Sequence, residues 1–111
     1  MSYIPEKGDI VWLDFDPSSG HEIMKRRPAF VISKEVFNSS VGMAVVAPIT
    51  STIRNKPLEV VLSEKNLKTK GAVLVYQMKS LDVSHRKIKF VEKASAVVTA
   101  KVTALAQLIV G

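Results

Sequence analysis

Short apolar runs separated by polar turns fill most of the chain, and a helical period takes over near its end. In Asp9-Ile10-Val11-Trp12-Leu13-Asp14-Phe15-Asp16 successive side chains alternate, which sets Ile10, Trp12 and Asp14 on one face of a strand and Val11, Leu13 and Phe15 on the other. Pro17-Ser18-Ser19-Gly20 closes that strand with turn chemistry. Ala29-Phe30-Val31-Ile32 reads as a second strand. Met43-Ala44-Val45-Val46-Ala47 reads as a third, mostly buried because it carries no polar residue. Leu58-Glu59-Val60-Val61-Leu62, Ala72-Val73-Leu74-Val75-Tyr76 and the weaker Ile88-Lys89-Phe90-Val91 complete a set of six. Closely spaced short strands predict a small barrel or sandwich.

The last segment changes period. Ala94, Val97, Val98, Val102, Leu105 and Leu108 or Ile109 recur at helical spacing, with Ser95 as N-cap and Gly111 at the end. Its valines and threonines are mediocre helix formers, so packing rather than propensity must hold it. The expected architecture is one β-barrel closed by a C-terminal helix. With no repeat, low-complexity tract or linker, residues 1–111 are expected to form a single domain.

Composition narrows the chemistry. The chain is 47% hydrophobic, enough for a real core. It has no cysteine, which excludes disulfides and thiolate metal sites. The start, Met1-Ser2-Tyr3-Ile4-Pro5-Glu6, lacks a signal-peptide layout, and no apolar run approaches the roughly 18 residues of a membrane span. A soluble cytoplasmic protein without membrane partners is expected. His21 and His85 lie far apart and no carboxylate cluster shows ligand spacing, so neither a metal nor another cofactor is expected. His85-Arg86 reads as an exposed turn.

The formal net charge of +6 is unevenly spread. Residues 1–50 hold 5 Lys/Arg against 6 Asp/Glu, whereas residues 51–93 hold 10 against 4. A basic segment joined to a nearly neutral one suggests a polyanionic partner, the alternative being a solvated lysine-rich surface.

The stretch Gly20-His21-Glu22-Ile23-Met24-Lys25-Arg26-Arg27-Pro28 lies between the first two strands. Pro28 biases Arg27 toward extended backbone, so the arginine is placed where a loop feeds a strand. An acid, an imidazole and a fixed guanidinium are the parts needed to move a proton and hold a phosphate.

In sequence order, Gly8-Asp9-Ile10-Val11-Trp12, Asp16-Pro17, Gly20-His21-Glu22 and Arg27-Pro28-Ala29 are followed by Val46-Ala47-Pro48-Ile49-Thr50 and Glu59-Val60-Val61-Leu62. Gly71-Ala72-Val73-Leu74 and Leu108-Ile109-Val110-Gly111 complete the series. Across nearly its whole length the chain resembles the MazF/PemK toxins of bacterial toxin–antitoxin systems. The resemblance implies a mainly β, SH3-like barrel with a C-terminal α-helix and a homodimer. It also implies an endoribonuclease that cuts single-stranded RNA, mRNA foremost, at short sequences. The implied reaction needs no metal: the ribose 2′-OH attacks the adjacent phosphate, giving a 2′,3′-cyclic phosphate and a 5′-OH. The implied partners are a cognate antitoxin whose acidic, disordered segment lies over the RNA groove and, through that complex, operator DNA.

Matched to the family, Arg27 is the arginine on which catalysis depends. Its always-charged fork suits two phosphate oxygens, which favours charge stabilisation over proton donation. Glu22 is the candidate base; alternatively it orders the loop through Arg26 or Arg27. His21 can share acid–base duty. Thr50 is the candidate hydroxyl donor to the scissile phosphate, with Ser51 as substitute. Arg26, Arg54, Lys56, Gln77 and Lys79 are the expected RNA-binding residues, the lysines and Arg54 as backbone-tracking charges. The chain departs from many relatives at Ile23 and Lys25, where those carry glutamine and glycine, and at Tyr76, where they carry aspartate. Tyr76 is then either a stacking surface for an unpaired base or half-buried strand packing. A non-catalytic toxin of the same barrel that poisons a protein such as gyrase, and a plain nucleic-acid-binding barrel, are the competing readings.

Overall fold

The computed structural model describes residues 3–15 and 26–111. Strand β1 (Asp9–Asp14) pairs antiparallel with β2 (Arg26–Val31), Ile10 opposite Phe30 and Leu13 opposite Arg27. A short helix, α1 (Glu35–Val41), leads into β3 (Met43–Thr50). Then come β4 (Glu59–Leu62), β5 (Gly71–Leu74), a 3-10 turn at Val75–Gln77, β6 (Lys79–Asp82), β7 (Lys89–Lys93) and α2 (Ala96–Val110). The strands form one curled antiparallel sheet in the order β4-β5-β3-β2-β1-β7, with β6 also paired to β3. The protein is mainly β, a half-barrel with a C-terminal helix, as the sequence pattern indicates.

Two sets of side chains fill the fold. One combines Ile10, Phe30, Ala47, Ile49, Val60, Leu62 and Val73 with Val98, Val102 and Ala106 of α2. The other gathers Val11, Leu13, Phe15, Ala29, Val31, Ala44, Val46 and Leu81. The central strands are thus buried on both faces. Ser95 caps α2 by accepting a hydrogen bond from the Val98 N–H at 3.1 Å, and it donates to Glu64 at 2.8 Å.

Several sequence expectations are corrected. Ile10 and Trp12 share a face in simple alternation, yet Ile10 is buried and Trp12 is 41% exposed. The pairing of β1 with β7 shifts register between Ile10 and Val11, and past this irregularity that face opens to solvent. β1 ends at Asp14 among the described residues, and the expected end at Asp16 lies outside them. The fifth strand stops at Leu74, so Tyr76 stands in the 3-10 turn rather than in a sheet. Val97 and Leu108 face solvent, and the buried line of α2 runs Val98–Val102–Ala106 instead. Arg86 is no exposed turn charge: its Nη1 donates to the carbonyls of Asp14, at 3.2 Å, and Phe15. α1 and β6 were not expected. No helix among the described residues is long and apolar enough to cross a membrane.

Phe30 is fully buried between β1 and β3, so Phe30→Ala is expected to lower stability by about 3–5 kcal/mol. Urea denaturation checks this, and Ser95→Ala in the same assay should lose about 1 kcal/mol with the cap.

Candidate functional site

The site begins where two prolines interrupt hydrogen bonding around β3. The Ile32 N–H donates to the Val45 carbonyl, which makes Ile32/Val45 a bonded pair and, by alternation, Phe30/Ala47 and Pro28/Ile49 as well. Pro28 has no N–H to give, and the β2–β3 ladder ends at Ala29↔Pro48. Two residues beyond that pair, Arg27 and Thr50 stand on facing strand ends and on the face of Ala29 and Pro48. Leu13 pairs with Arg27 on one side and Ala72 with Thr50 on the other. A transverse row Leu13–Arg27–Thr50–Ala72 therefore crosses the sheet, polar in its middle and apolar at its ends. Both polar members are partly exposed.

The local geometry prepares Thr50 as a donor. Its Oγ1 accepts the Thr52 N–H at 3.1 Å, leaving the hydroxyl hydrogen available. Gly71, at φ +118°, presses against the same strand end: a Cβ there would lie 2.0 Å from the Thr50 carbonyl oxygen. Only glycine permits this backbone approach.

Arg26 is exposed beside Arg27 and forms a 3.4 Å ion pair with Asp14, its register partner on β1. Ser51 and Lys56 are exposed in the segment after Thr50, and Gln77 and Lys79 are exposed around the start of β6. Arg54 differs from a solvated charge. Its Nη2 donates at 2.8 Å to Oε2 of Glu59 and at 2.8 Å to the Tyr76 hydroxyl. The Glu59 bond, ahead of the opposing effect of desolvation, holds the guanidinium pKa above its ordinary value. Arg54 is thus held in direction by two partners, and Tyr76, 40% exposed, stands in the 3-10 turn rather than packing in a strand. His21 and Glu22, with Ile23 and Lys25, lie outside the described residues. No group of three or more His, Cys, Asp or Glu gathers into a ligand set among the described residues.

Sequence reasoning missed Asp14 as the partner of Arg26, Gly71 as the support of Thr50, and Glu59. Glu59 shares its face of β4 with Val61, opposite the buried Val60 and Leu62, so alternation gave no signal for it.

The fold and the site together define a small, mainly β protein with a polar, partly exposed patch where a strand ladder stops. Residues 6–110 match the family model described as "PemK-like, MazF-like toxin of type II toxin-antitoxin system". The chain belongs to this PemK/MazF toxin family. It is 42% identical over 88 residues to the endoribonuclease toxin ChpB of Escherichia coli (strain K12), spanning 76% of this chain and 75% of ChpB. It is 40% identical over 79 residues to the endoribonuclease toxin MazF of the same organism, spanning 71% of this chain and 69% of that protein. Among solved structures, a MazE–MazF crystal structure (Form-II) from Deinococcus radiodurans superposes with a TM-score of 0.88 at 36% identity, covering 99% of this chain and 98% of the other.

Gly71→Ala is expected to lower the thermal midpoint well beyond Gly42→Ala. Both glycines have positive φ, at about 1–2 kcal/mol for a Cβ in the left-handed region, but a Cβ at Gly42 meets nothing within 4 Å. Parallel melting curves check the difference.

Proposed function

We propose that this chain is the endoribonuclease of a type II toxin–antitoxin pair and cuts single-stranded RNA, mRNA foremost, at short sequences without a metal. The observation that carries the reading is the placement of Arg27 and Thr50 on one face at facing strand ends. The relatives named as endoribonucleases support it. In this reading the 2′-oxygen attacks the adjacent phosphorus and its proton passes to Glu22, with His21 sharing the proton traffic. The bond from phosphorus to the 5′-oxygen breaks, and that oxygen takes up a proton. The products are a 2′,3′-cyclic phosphate and a 5′-OH. The phosphorane carries more negative charge than the diester, so a fixed guanidinium at Arg27 and a hydroxyl donor at Thr50 favour the transition state over the ground state.

An acidic, disordered antitoxin segment is the proposed inhibitor. It would compete with RNA for the charge of residues 51–93, and MazE–MazF complexes stand among the structural neighbours. A homodimer is the proposed assembly, and exposed Leu108, Ile109 and Val110 at the end of α2 give it apolar surface.

Incubating the purified protein with a long single-stranded RNA in excess EDTA tests the activity. Discrete cuts with cyclic-phosphate and 5′-OH ends are expected, and Arg27→Ala should slow them by about 100-fold or more. No cleavage by folded, antitoxin-free protein would return the assignment to a protein-poisoning or purely binding toxin.

A further inference from the structure

Arg27 is held by one neighbouring strand. On the β3 side the ladder has stopped at Ala29↔Pro48, and Pro28 has no N–H to give. On the β1 side Arg27 pairs with Leu13, and Arg26 with Asp14 at the last pair of that ladder. Arg27 makes no ion pair among the described residues, so its place follows from its backbone and hence from the end of β1.

That end has no strand on its outer side. Pairing of β1 with β7 stops at Trp12↔Lys89, two residues short of Asp14. Arg86 takes over there. The Asp14 N–H donates to the Arg86 carbonyl at 2.9 Å, and Arg86 Nη1 donates to the Asp14 carbonyl at 3.2 Å and to the Phe15 carbonyl. One residue thus meets both main-chain groups of Asp14, as a partner strand would. Because the Asp14 N–H turns away from β2, Leu13/Arg27 is the hydrogen-bonded pair and Asp14/Arg26 the close, unbonded one. The 3.4 Å ion pair of Arg26 with Asp14 fits that spacing.

The backbone of Lys87 sets the clamp in place. Carried forward from Trp12↔Lys89, the register would put Lys87 opposite Asp14, yet Asp14 bonds to Arg86. One residue is therefore extra on the β7 side. Lys87 absorbs it at φ +52°, left-handed backbone that is unfavourable for a lysine. An inserted residue of this kind re-aims a neighbouring side chain, and such strain gathers at functional sites.

We propose that Arg86 is a positioning residue for Arg27: it supports β1 beyond the end of β7 and so holds the Leu13–Arg27 pair in register. This rests on the RNA-cleaving function proposed above. Arg86 touches no reacting atom in this role. A displacement of about 1 Å at Arg27 costs rate far more than it costs RNA binding.

The test measures kcat and KM on a single-stranded RNA in EDTA, melting curves, and affinity for the same RNA with a 2′-deoxy sugar at the cut. Arg86→Ala is expected to lower kcat roughly 10–100-fold, at a temperature where it is fully folded, with KM within about twofold of wild type. Affinity for the deoxy RNA and its salt dependence should match wild type. Arg86→Lys, whose ammonium can still donate to both carbonyls, should recover most of the rate. Amide hydrogen exchange in Arg86→Ala should speed at Leu13 and Arg27 ahead of the rest of β1 and β2. A raised KM with weaker, less salt-dependent binding marks a phosphate contact and overturns the proposal. Arg86→Ala that melts earlier yet cuts at the wild-type rate leaves Arg86 a structural role alone and also overturns it. If the alanine variant does not fold, Arg86→Gln, whose shorter amide donates less well, should show the same kcat loss in smaller measure; an undiminished rate there overturns the proposal. Wild-type protein that cuts no RNA overturns the nuclease function itself, whereas failure of the positioning role alone leaves wild-type cutting intact.

Discussion

β3 bonds to β2 along one edge and to both β6 and β5 along the other, Met43–Val46 facing β6 and Ile49–Thr50 facing β5. β3 thus carries two strands end to end along one edge, and the twisted sheet curls so that its two faces become two cores. Pro48 occupies the point of change. By the alternation set at Ile32/Val45 its nitrogen turns toward the β5–β6 edge, in the gap between those two ladders, where no donor is missed. A proline in a central strand is ordinarily a defect; here it marks the seam. One residue further Ile49 faces Pro28 across the strands, and the second proline ends the β2 ladder. The site is therefore a product of backbone hydrogen bonding before any polar side chain is considered.

Two buried carboxylates show how differently a charge can be held. Asp9 has both oxygens engaged: Oδ1 takes Lys93 at 2.7 Å, and Oδ2 takes the Tyr3 hydroxyl and the Glu6 N–H at 3.0 Å. Burial, and then the bond to Asp9, push the Tyr3 pKa up, so this hydroxyl stays a donor at any working pH. That network sews the residues before β1 to β7 and explains itself as architecture. Glu59 holds one partner with one oxygen. Removing either member of a satisfied network strands a charge, whereas Arg54, being partly exposed, can rehydrate if Glu59 is lost. Among the described residues, Asp9 thus has both oxygens engaged and Glu59 only one.

The strands that were legible are those whose apolar residues alone specify burial: Ile10–Leu13, Ala29–Val31, Met43–Ala47, Val60–Leu62 and Ala72–Leu74. β6 was not, because Lys79-Ser80-Leu81-Asp82 offers one apolar side chain and becomes a strand through its pairing with β3. α1 has no amphipathic period either. It is held by Asn38, which donates to the Pro5 carbonyl at 2.8 Å, a contact 33 residues distant in sequence. Arg27 and Thr50 were legible through the Arg-Pro and Pro-Ile-Thr steps, which carry both the backbone constraint and the family resemblance. Glu59 was visible only as a family landmark, because nothing local says that Arg54 and Tyr76 fold back onto it. Long-range polar contacts leave no period in a sequence.

The charge of the middle segment also looks different once partners are known. Of its cations, Arg54 is committed to Glu59, Lys93 to Asp9 and Glu6, and Arg86 to carbonyls at the end of β1. The attraction left for a polyanion comes chiefly from exposed lysines such as Lys56, Lys68, Lys79 and Lys89. A lysine is a compact charge on a flexible stem, and it holds any phosphate equally well. Such groups attract a polyanion and carry no sequence information. Arg54 stands apart from them, because a buried carboxylate and a tyrosine hydroxyl fix the direction of its guanidinium.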